Sequence, residues 1–186
     1  MRRRSKLICC LLIFLFFCGP VLAQEPLPEY QVKAAYLYNF LKFVEWPEDT
    51  FPDSLAPIVI GISGDDPFGG ALPQVIIGKT VQGRDLVIHK YRSGEDMRGA
   101  HILFISPLEK KRLPQILPSL RGSSVLTVAD TEGFLEEGGM IQFVMENNRV
   151  RFAINVDATS RAKLKISSKL LSLARVVDGS VKEPGK

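Results

Sequence analysis

Apolar residues recur every three or four positions over residues 30–46, the spacing of one face of an amphipathic helix. We expect this helix to stop near Trp46, because Pro47 disfavours helical geometry at the residue before it. A short, wholly apolar run at 57–62 is typical of a strand buried on both faces, the runs at 101–105 and 124–128 are of the same buried type, and a further strand is predicted at 86–89.

Helix-start signals fall between these strands. Asp66 is suited to an N-cap and Pro67 to a first helical position, so a helix is predicted to begin there, and Pro107 is expected to open another. The alternation of strand and helix predicts right-handed crossovers. The expected fold class is α/β: a mostly parallel central sheet flanked by helices, followed by a C-terminal antiparallel hairpin.

The hairpin is predicted by two alternating runs around Asn147-Asn148, residues that tolerate the positive φ of a tight turn. A two-residue loop places Glu146 opposite Arg149. The same register pairs apolar residues on one face: Met145 with Val150, Phe143 with Phe152 and Ile141 with Ile154. After it, Ser167 or Ser168 is expected to cap a closing helix with Leu170, Leu171, Ala174 and Val177 facing inward.

The N-terminus has the order of features found in a cleavable signal peptide, residues 1–23. Basic residues at positions 2–6 precede an apolar stretch at 7–17, and Val21-Leu22-Ala23 offers a cleavage site before Gln24. A retained anchor is the alternative, although the apolar stretch is short for a bilayer span. The remainder, residues 24–186, is predicted to be a single domain in the periplasm, with a flexible tail at 178–186.

Cleavage would change both charge and redox chemistry. Four of the 24 basic residues and none of the 20 acidic residues lie in residues 1–23, so the mature chain would carry 20 of each. A neutral domain gives no reason to expect nucleic acid as a partner. The three cysteines, Cys9, Cys10 and Cys18, also lie there, so the mature protein would have no disulfide.

Most catalytic signatures are missing from the sequence. Gly78-Lys79-Thr80 resembles the end of a phosphate-binding loop, but Pro73 stands where the first glycine is required. His89 and His101 fall on separate predicted strands without acidic partners at ligand spacing, which favours structural or surface histidines over a metal site. We therefore expect no enzyme activity, no metal and no cofactor.

Acidic residues follow two of the predicted strands. Asp65 and Asp66 come after the first strand and Asp130 after the fourth, at the sheet edge where α/β proteins bind ligands. Helix capping and turn formation are the favoured explanation of these carboxylates. With Ser106, they would line the cleft of a periplasmic small-molecule sensor, which is the alternative function.

Six aromatic side chains are concentrated in the first helix and its end: Tyr30, Tyr36, Tyr38, Phe40, Phe43 and Trp46. Core packing accounts for Tyr36, Phe40 and Phe43. Tyr38 and Trp46 fall off that stripe, so they belong either to the rim of the core or to a contact surface.

Residues 30–47 resemble the opening motif of the YfiR-like family of periplasmic proteins. Segments 139–144, 150–155 and 164–174 resemble the C-terminal part of the same family, and 64–68 also fits. The resemblance covers essentially the whole mature chain in the expected order.

The resemblance implies an α/β fold and a non-enzymatic regulator. Members of the family are similar to a periplasmic repressor that binds the sensory part of an inner-membrane diguanylate cyclase, and so controls cyclic-di-GMP and biofilm formation. An outer-membrane lipoprotein and a second copy of the chain are further partners implied by the family. Some relatives carry disulfides, which this chain lacks after cleavage, so a redox role is not carried over.

The residues singled out for partner or ligand binding come from these matched blocks and from the strand-end carboxylates. Each could instead build the fold: Asn155 and Ser167 as helix caps, Arg151 on the solvated face of the hairpin, Tyr36 and Phe40 in the core. They are Lys33, Tyr36, Asn39, Phe40, Trp46, Pro47, Asp65, Asp66, Arg151, Asn155, Ser167 and Ser168.

Overall fold

The computed structural model describes residues 29–177, which form five α-helices and ten strands. The helices are α1 (Glu29–Phe43), α2 (Ala71–Ile76), α3 (Leu113–Ser119), α4 (Val156–Arg161) and α5 (Ser168–Leu171). The strands are β1 (Val44–Glu45), β2 (Ile58–Ser63), β3 (Thr80–Val81), β4 (Arg84–Tyr91), β5 (Ile102–Ile105), β6 (Leu126–Ala129), β7 (Ile141–Glu146), β8 (Arg149–Asn155), β9 (Lys165–Ile166) and β10 (Arg175–Val177).

Eight strands form one sheet in the order β10-β8-β7-β6-β5-β2-β4-β3, and β1 pairs with β9 in a small antiparallel sheet. The run β4-β2-β5-β6-β7 is parallel throughout, whereas β3 pairs antiparallel with β4, and β8 with β7. The predicted α/β fold with a mostly parallel sheet is confirmed. Strand order reverses between β2 and β5, because the chain passes from β4 back across β2 to reach β5.

The sheet separates two apolar layers. Alternate residues of β5 enter opposite layers, Ile102 and Phe104 on one side and Leu103 and Ile105 on the other. The first layer packs beneath α1, and the second packs beneath α3. Because both faces are covered, every residue of β5 and β6 is buried, Thr127 included, as runs of this buried type predict.

The C-terminal hairpin has the predicted register. Glu146 lies opposite Arg149, and the three apolar pairs follow as expected. Asn147 and Asn148 adopt φ values of 50° and 61°, the left-handed conformations that a two-residue turn of this type requires.

The first helix is shorter than predicted. It ends at Phe43 instead of near Trp46, because Val44 and Glu45 leave the helix and pair with β9 as strand β1. The N–H of Ser167 donates to the carbonyl of Phe43 at 2.9 Å, which fixes this exit. A tertiary pairing thus overrides a local helical pattern.

The prediction that a helix begins at Asp66-Pro67 is wrong. Asp66 accepts the N–H of Phe68 at 2.9 Å, but this closes a turn rather than capping a helix. Gly69, with φ of 54°, redirects the chain, and α2 begins only at Ala71.

The other predicted helices differ in length. Pro107 opens a 3₁₀-helix, Pro107–Arg112, which leads into α3. Ser167 caps α5 by accepting the N–H of Leu170 at 3.2 Å, but this helix ends at Leu171. The expected continuation through Ala174 to Val177 is wrong, since Val177 instead lies in β10, which pairs parallel with β8.

Gly139 provides a test of core packing. A Cβ built there would come within 3.0 Å of three ring carbons of Phe134, which is fully buried and cannot move aside. We expect Gly139→Ala to lower the free energy of unfolding by about 2 to 3 kcal/mol through overpacking, measured by urea denaturation. Gly99→Ala is the matched control because its nearest neighbour, the Tyr91 hydroxyl, would lie 3.7 Å away. Equal losses in the two variants would contradict this account.

The predicted signal peptide, residues 1–23, and the predicted tail, residues 178–186, lie outside the described residues. Within residues 29–177, no helix has the length and apolar character needed to cross a membrane.

Candidate functional site at the carboxyl edge of the sheet

The first turn of α1 lies over the carboxyl ends of the parallel strands. Lys33 forms ion pairs there with Glu29, one turn earlier, and with Asp130, which directly follows β6. Tyr30 donates its hydroxyl hydrogen to Asp130 Oδ2 at 2.8 Å. The side chains of Lys33 and Asp130 are only 3% and 9% exposed, so this is a largely buried ionic cluster.

Aromatic rings and hydrogen bonding stabilise the charges of this cluster. Lys33 Nζ lies 4.3 Å from the centre of the Tyr30 ring, within the range of a cation–π contact. Burial raises the pKa of Tyr30, and its hydrogen bond to Asp130 raises it further, so the hydroxyl remains a donor at physiological pH. Asp130 Oδ1 accepts no hydrogen bond from any described residue.

A cavity of about 330 Å³ lies beside the cluster. Its charged lining residues are Glu29, Lys33, Asp130 and Glu132. Pro107, Gln142, Phe143, Val144 and Met145 complete the lining. Charged and apolar groups therefore meet at one open recess. Its walls come from α1, from β7 and from the segments that follow β5 and β6.

The strand-end carboxylates do not form the single cleft expected from the sequence. Asp130 lines this cavity, but Asp65 and Asp66 do not. Asp65 is exposed, and Asp66 is held by Phe68 and by an ion pair with Lys90 at 2.8 Å. Ser106 is buried near Gly64, where an added Cβ would lie 3.2 Å from Ser106 Cβ and 2.8 Å from Glu109 Cγ. Next to the end of β2, the side chains of Ser106 and Glu109 thus leave no room for a Cβ at Gly64.

The remaining residues of the first block contribute mainly to packing. Phe40 is fully buried, and Tyr36 packs with it against Phe143 and Phe152 at centroid distances of 5.0 to 6.0 Å. Asn39 is partly buried on the same helix. These contacts show that the aromatic stripe of α1 is core.

Trp46 and Pro47 lie at the opposite, amino edge of the sheet. Trp46 Nε1 donates to the carbonyl of His101 at 3.2 Å, and Pro47 precedes a 3₁₀-helix, Glu48–Thr50. The Phe51 ring stacks on the His101 ring, with 4.5 Å between the ring centroids. The Arg84 guanidinium also contacts Phe51, with its Cζ 3.9 Å from the centroid of the Phe51 ring.

His101 is a structural histidine, as one of the two sequence interpretations had it. It is buried, and its Nδ1 accepts the N–H of Val59 at 3.0 Å. Burial, with a smaller contribution from the Arg84 charge, lowers the pKa of His101 to about 4. The imidazole is therefore neutral at physiological pH.

The second block of predicted residues is divided between fold and surface. Asn155 is buried and caps α4, accepting the N–H of Ala158 at 2.9 Å and donating to the carbonyl of Leu135 at 3.3 Å. Ser167 caps α5 as described above. Arg151 and Ser168 are exposed. The structure thus places the predicted residues in several regions, and only Lys33 belongs to the carboxyl-edge cluster.

A larger cavity, about 680 Å³, lies at the amino edge between α3 and α4. Its floor is apolar, with Leu117, Leu120 and Met140, and its rim carries Arg121, Arg161, Glu136 and Glu137. The rim charges balance.

Sequence reasoning missed Glu29, Glu132 and Met145 at the carboxyl-edge cavity. The four-residue spacing of Glu29 and Lys33 was an available signal for the ion pair. Glu132 and Met145 carry no local signal, because only the fold brings them beside α1.

The structure defines the class of protein as an α/β fold. In its buried ionic cluster, Lys33, Asp130 and Tyr30 bind one another. Among residues 29–177, no group of three or more His, Cys, Asp or Glu side chains is arranged to hold a metal ion. A family model described as YfiR/HmsC-like matches residues 30–175. The chain belongs to this YfiR/HmsC-like family, which is periplasmic and regulatory.

Proposed function

We propose that this protein is a periplasmic, non-enzymatic regulator that binds and restrains an inner-membrane diguanylate cyclase, and so controls cyclic-di-GMP signalling and biofilm formation. The observation that carries the proposal is the family match over residues 30–175. The predicted export signal, residues 1–23, supports a site of action outside the inner membrane. A homodimer and an outer-membrane lipoprotein partner belong to the same proposal as expectations from the family.

Such a regulator works by binding one state of its partner more tightly than the other. A domain that prefers the inactive cyclase shifts the population of cyclase molecules towards that state, by no more than the difference in its two affinities. A tenfold preference corresponds to about 1.4 kcal/mol, which a few well-placed contacts supply. No chemistry by the regulator itself is needed.

Deleting the gene is therefore expected to raise cellular cyclic-di-GMP and biofilm mass. Expression of the full chain should restore the low level. A chain that begins with Met followed directly by residue 24 should fail to restore it, because without residues 1–23 it would not reach the periplasm. An unchanged cyclic-di-GMP level on deletion, together with no membrane sensor co-purifying from solubilised membranes, would overturn the cyclase proposal.

The second candidate function is a small-molecule sensor, and the cavity beside Asp130 favours it. Its volume lies at the lower end of the range of ligand pockets. A thermal-shift screen of residues 24–186 tests this candidate. A ligand whose stabilising effect is lost in Glu132→Gln supports it, whereas a screen without any stabilising compound leaves recognition of a protein partner as the function.

A further inference from the structure

The surface around the carboxyl-edge cavity combines exposed apolar side chains with an excess of negative charge. We define the carboxyl-edge surface by Glu29, Pro107, Leu108, Glu132 and Met145. We infer that this surface is the docking site for the partner protein, and that it accepts a segment in which a lysine or arginine stands beside apolar side chains. This docking site rests on the proposed function, because it is the surface through which the regulator would bind its partner.

The apolar part of the surface is unusually open to solvent. Leu108 is 73% exposed and Met145 is 49% exposed. Pro107 and Met145 both line the cavity, and Leu108 follows Pro107 in the chain. Methionine adapts its shape to different apolar partners, which makes it a common residue of binding surfaces. Pro107 and Met145 flank one recess, and Leu108 is the residue next to Pro107, so the three lie within reach of a single partner segment.

The charged residues of the cavity determine which sign of charge a partner side chain must carry to enter it. Three carboxylates, those of Glu29, Asp130 and Glu132, line the cavity with only one ammonium group, that of Lys33. Glu29 and Asp130 already surround this ammonium, so it offers no free charge to an anion. Asp130 also has an oxygen, Oδ1, that accepts no hydrogen bond from the described residues.

A negative potential in a recess with apolar walls is less screened than one on an open surface, because the surrounding medium has a low dielectric constant. A cationic side chain entering the recess is therefore favoured, and an anionic one is excluded. Lys110 and Lys111 lie on the same 3₁₀-helix as Leu108 but do not line the cavity.

The larger cavity at the amino edge does not favour a cationic over an anionic side chain. Its rim has two arginines and two glutamates, so neither sign of charge is preferred there. Leu55, which at 82% is the most exposed large apolar residue within 29–177, lies outside the lining of these two cavities. Charge and apolar exposure thus coincide at the carboxyl-edge surface.

The test uses the deletion strain, with the full chain and its variants expressed at equal level. We expect wild type to restore low cyclic-di-GMP, and Leu108→Ser/Glu132→Lys to leave at least half of the rise caused by deletion. The matched control, Leu55→Ser/Glu136→Lys, makes the same chemical changes at exposed residues away from this surface and should restore like wild type. Immunoblots and melting temperatures of the purified variants verify that all are present and folded.

A second variant tests the chemistry of the partner independently of the apolar contacts. Glu132→Asp keeps the negative charge and should restore repression, whereas Glu132→Lys alone should impair it by at least threefold in the dose of protein required. Equal behaviour of these two variants would overturn the proposed selection for a cation.

The outcomes separate the surface from the function. If deletion raises cyclic-di-GMP and Leu108→Ser/Glu132→Lys restores it fully, the surface is wrong and the proposed function stands. If the control pair fails as badly as the surface pair, the docking site is not confined to the carboxyl edge and the inference is overturned. If deletion changes nothing, the proposed function fails, and the docking site falls with it.

Discussion

Replacing Lys33 by methionine is expected to lower the free energy of unfolding by about 3 to 5 kcal/mol, the usual cost of removing one partner of a buried ion pair. Asp130 would then be left as an uncompensated carboxylate that is 91% buried. Its one remaining hydrogen bond, from the Tyr30 hydroxyl, cannot replace the lost positive charge. Urea denaturation of residues 24–186 measures the loss.

The control for this substitution is Lys90→Met. Lys90 also pairs with an aspartate, Asp66, at 2.8 Å, but its side chain is 62% exposed. An exposed pair contributes about 0 to 1 kcal/mol, so this variant should be nearly as stable as wild type. The triple variant Tyr30→Phe/Lys33→Met/Asp130→Leu, which removes every charge and hydroxyl of the buried pair together, should recover most of the loss. A Lys33→Met variant no less stable than Lys90→Met would contradict the account.

Acidification from pH 8 to pH 5 is expected to destabilise the protein by about 2 kcal/mol through His101 alone. The folded state holds the pKa of His101 at about 4, below the ordinary value of 6.5. The unfolded chain therefore takes up a proton as the pH falls through 6.5, while the folded protein does not. The contribution of His101 to the free energy of unfolding is therefore fully present above pH 6.5 and decreases steadily as the pH falls to 4.

His101→Gln should remove most of this pH dependence, even though it also lowers stability at pH 8 by breaking ring packing. His89→Gln is the control, because the only ion pair it removes among the described residues is the exposed one with Glu95 at 2.9 Å, and it should change the slope far less than His101→Gln does. Hydrogen bonds hold the pKa values of Glu95 and Asp96 below their ordinary range, and the stability that these carboxylates contribute is lost only as the pH falls through their ordinary pKa of about 4, so pH 5 is the lower limit of the measurement. A wild-type slope retained in His101→Gln would show that other groups carry the effect.

Much of the fold was predictable because its signals are local. The buried strands β2, β5 and β6 are short, mostly apolar runs, which is the pattern of strands in a sheet that is covered on both faces. The hairpin register followed from the length of its loop. In contrast, β1 and β9 are two-residue strands more than 100 residues apart in the chain, and neither carries a pattern of its own. The helix expected at Pro67 failed because a cap residue and a proline also suit a turn.

The site was predictable only in part, for a similar reason. Lys33 could be singled out because a lysine beside an apolar stripe needs a partner. Asp130 could be placed at the carboxyl edge from strand order. That the two meet depends on how α1 lies across the sheet, which no local pattern encodes. Asp65 and Asp66 shared the same sequence argument but lie outside the cavity.

The contact between Tyr30 and Asp130 spans 100 residues of sequence, and this has a consequence for biogenesis. A ribosome adds roughly 5 to 20 residues per second, so the leading helix waits on the order of 5 to 20 seconds for its partner strand. During this interval α1 can contact only partners that are already made, such as α2, because Phe143 and Phe152, which pack on its aromatic stripe, follow Asp130 in the chain. The domain must therefore complete its folding after synthesis, and the nascent chain is a natural client for a holding chaperone.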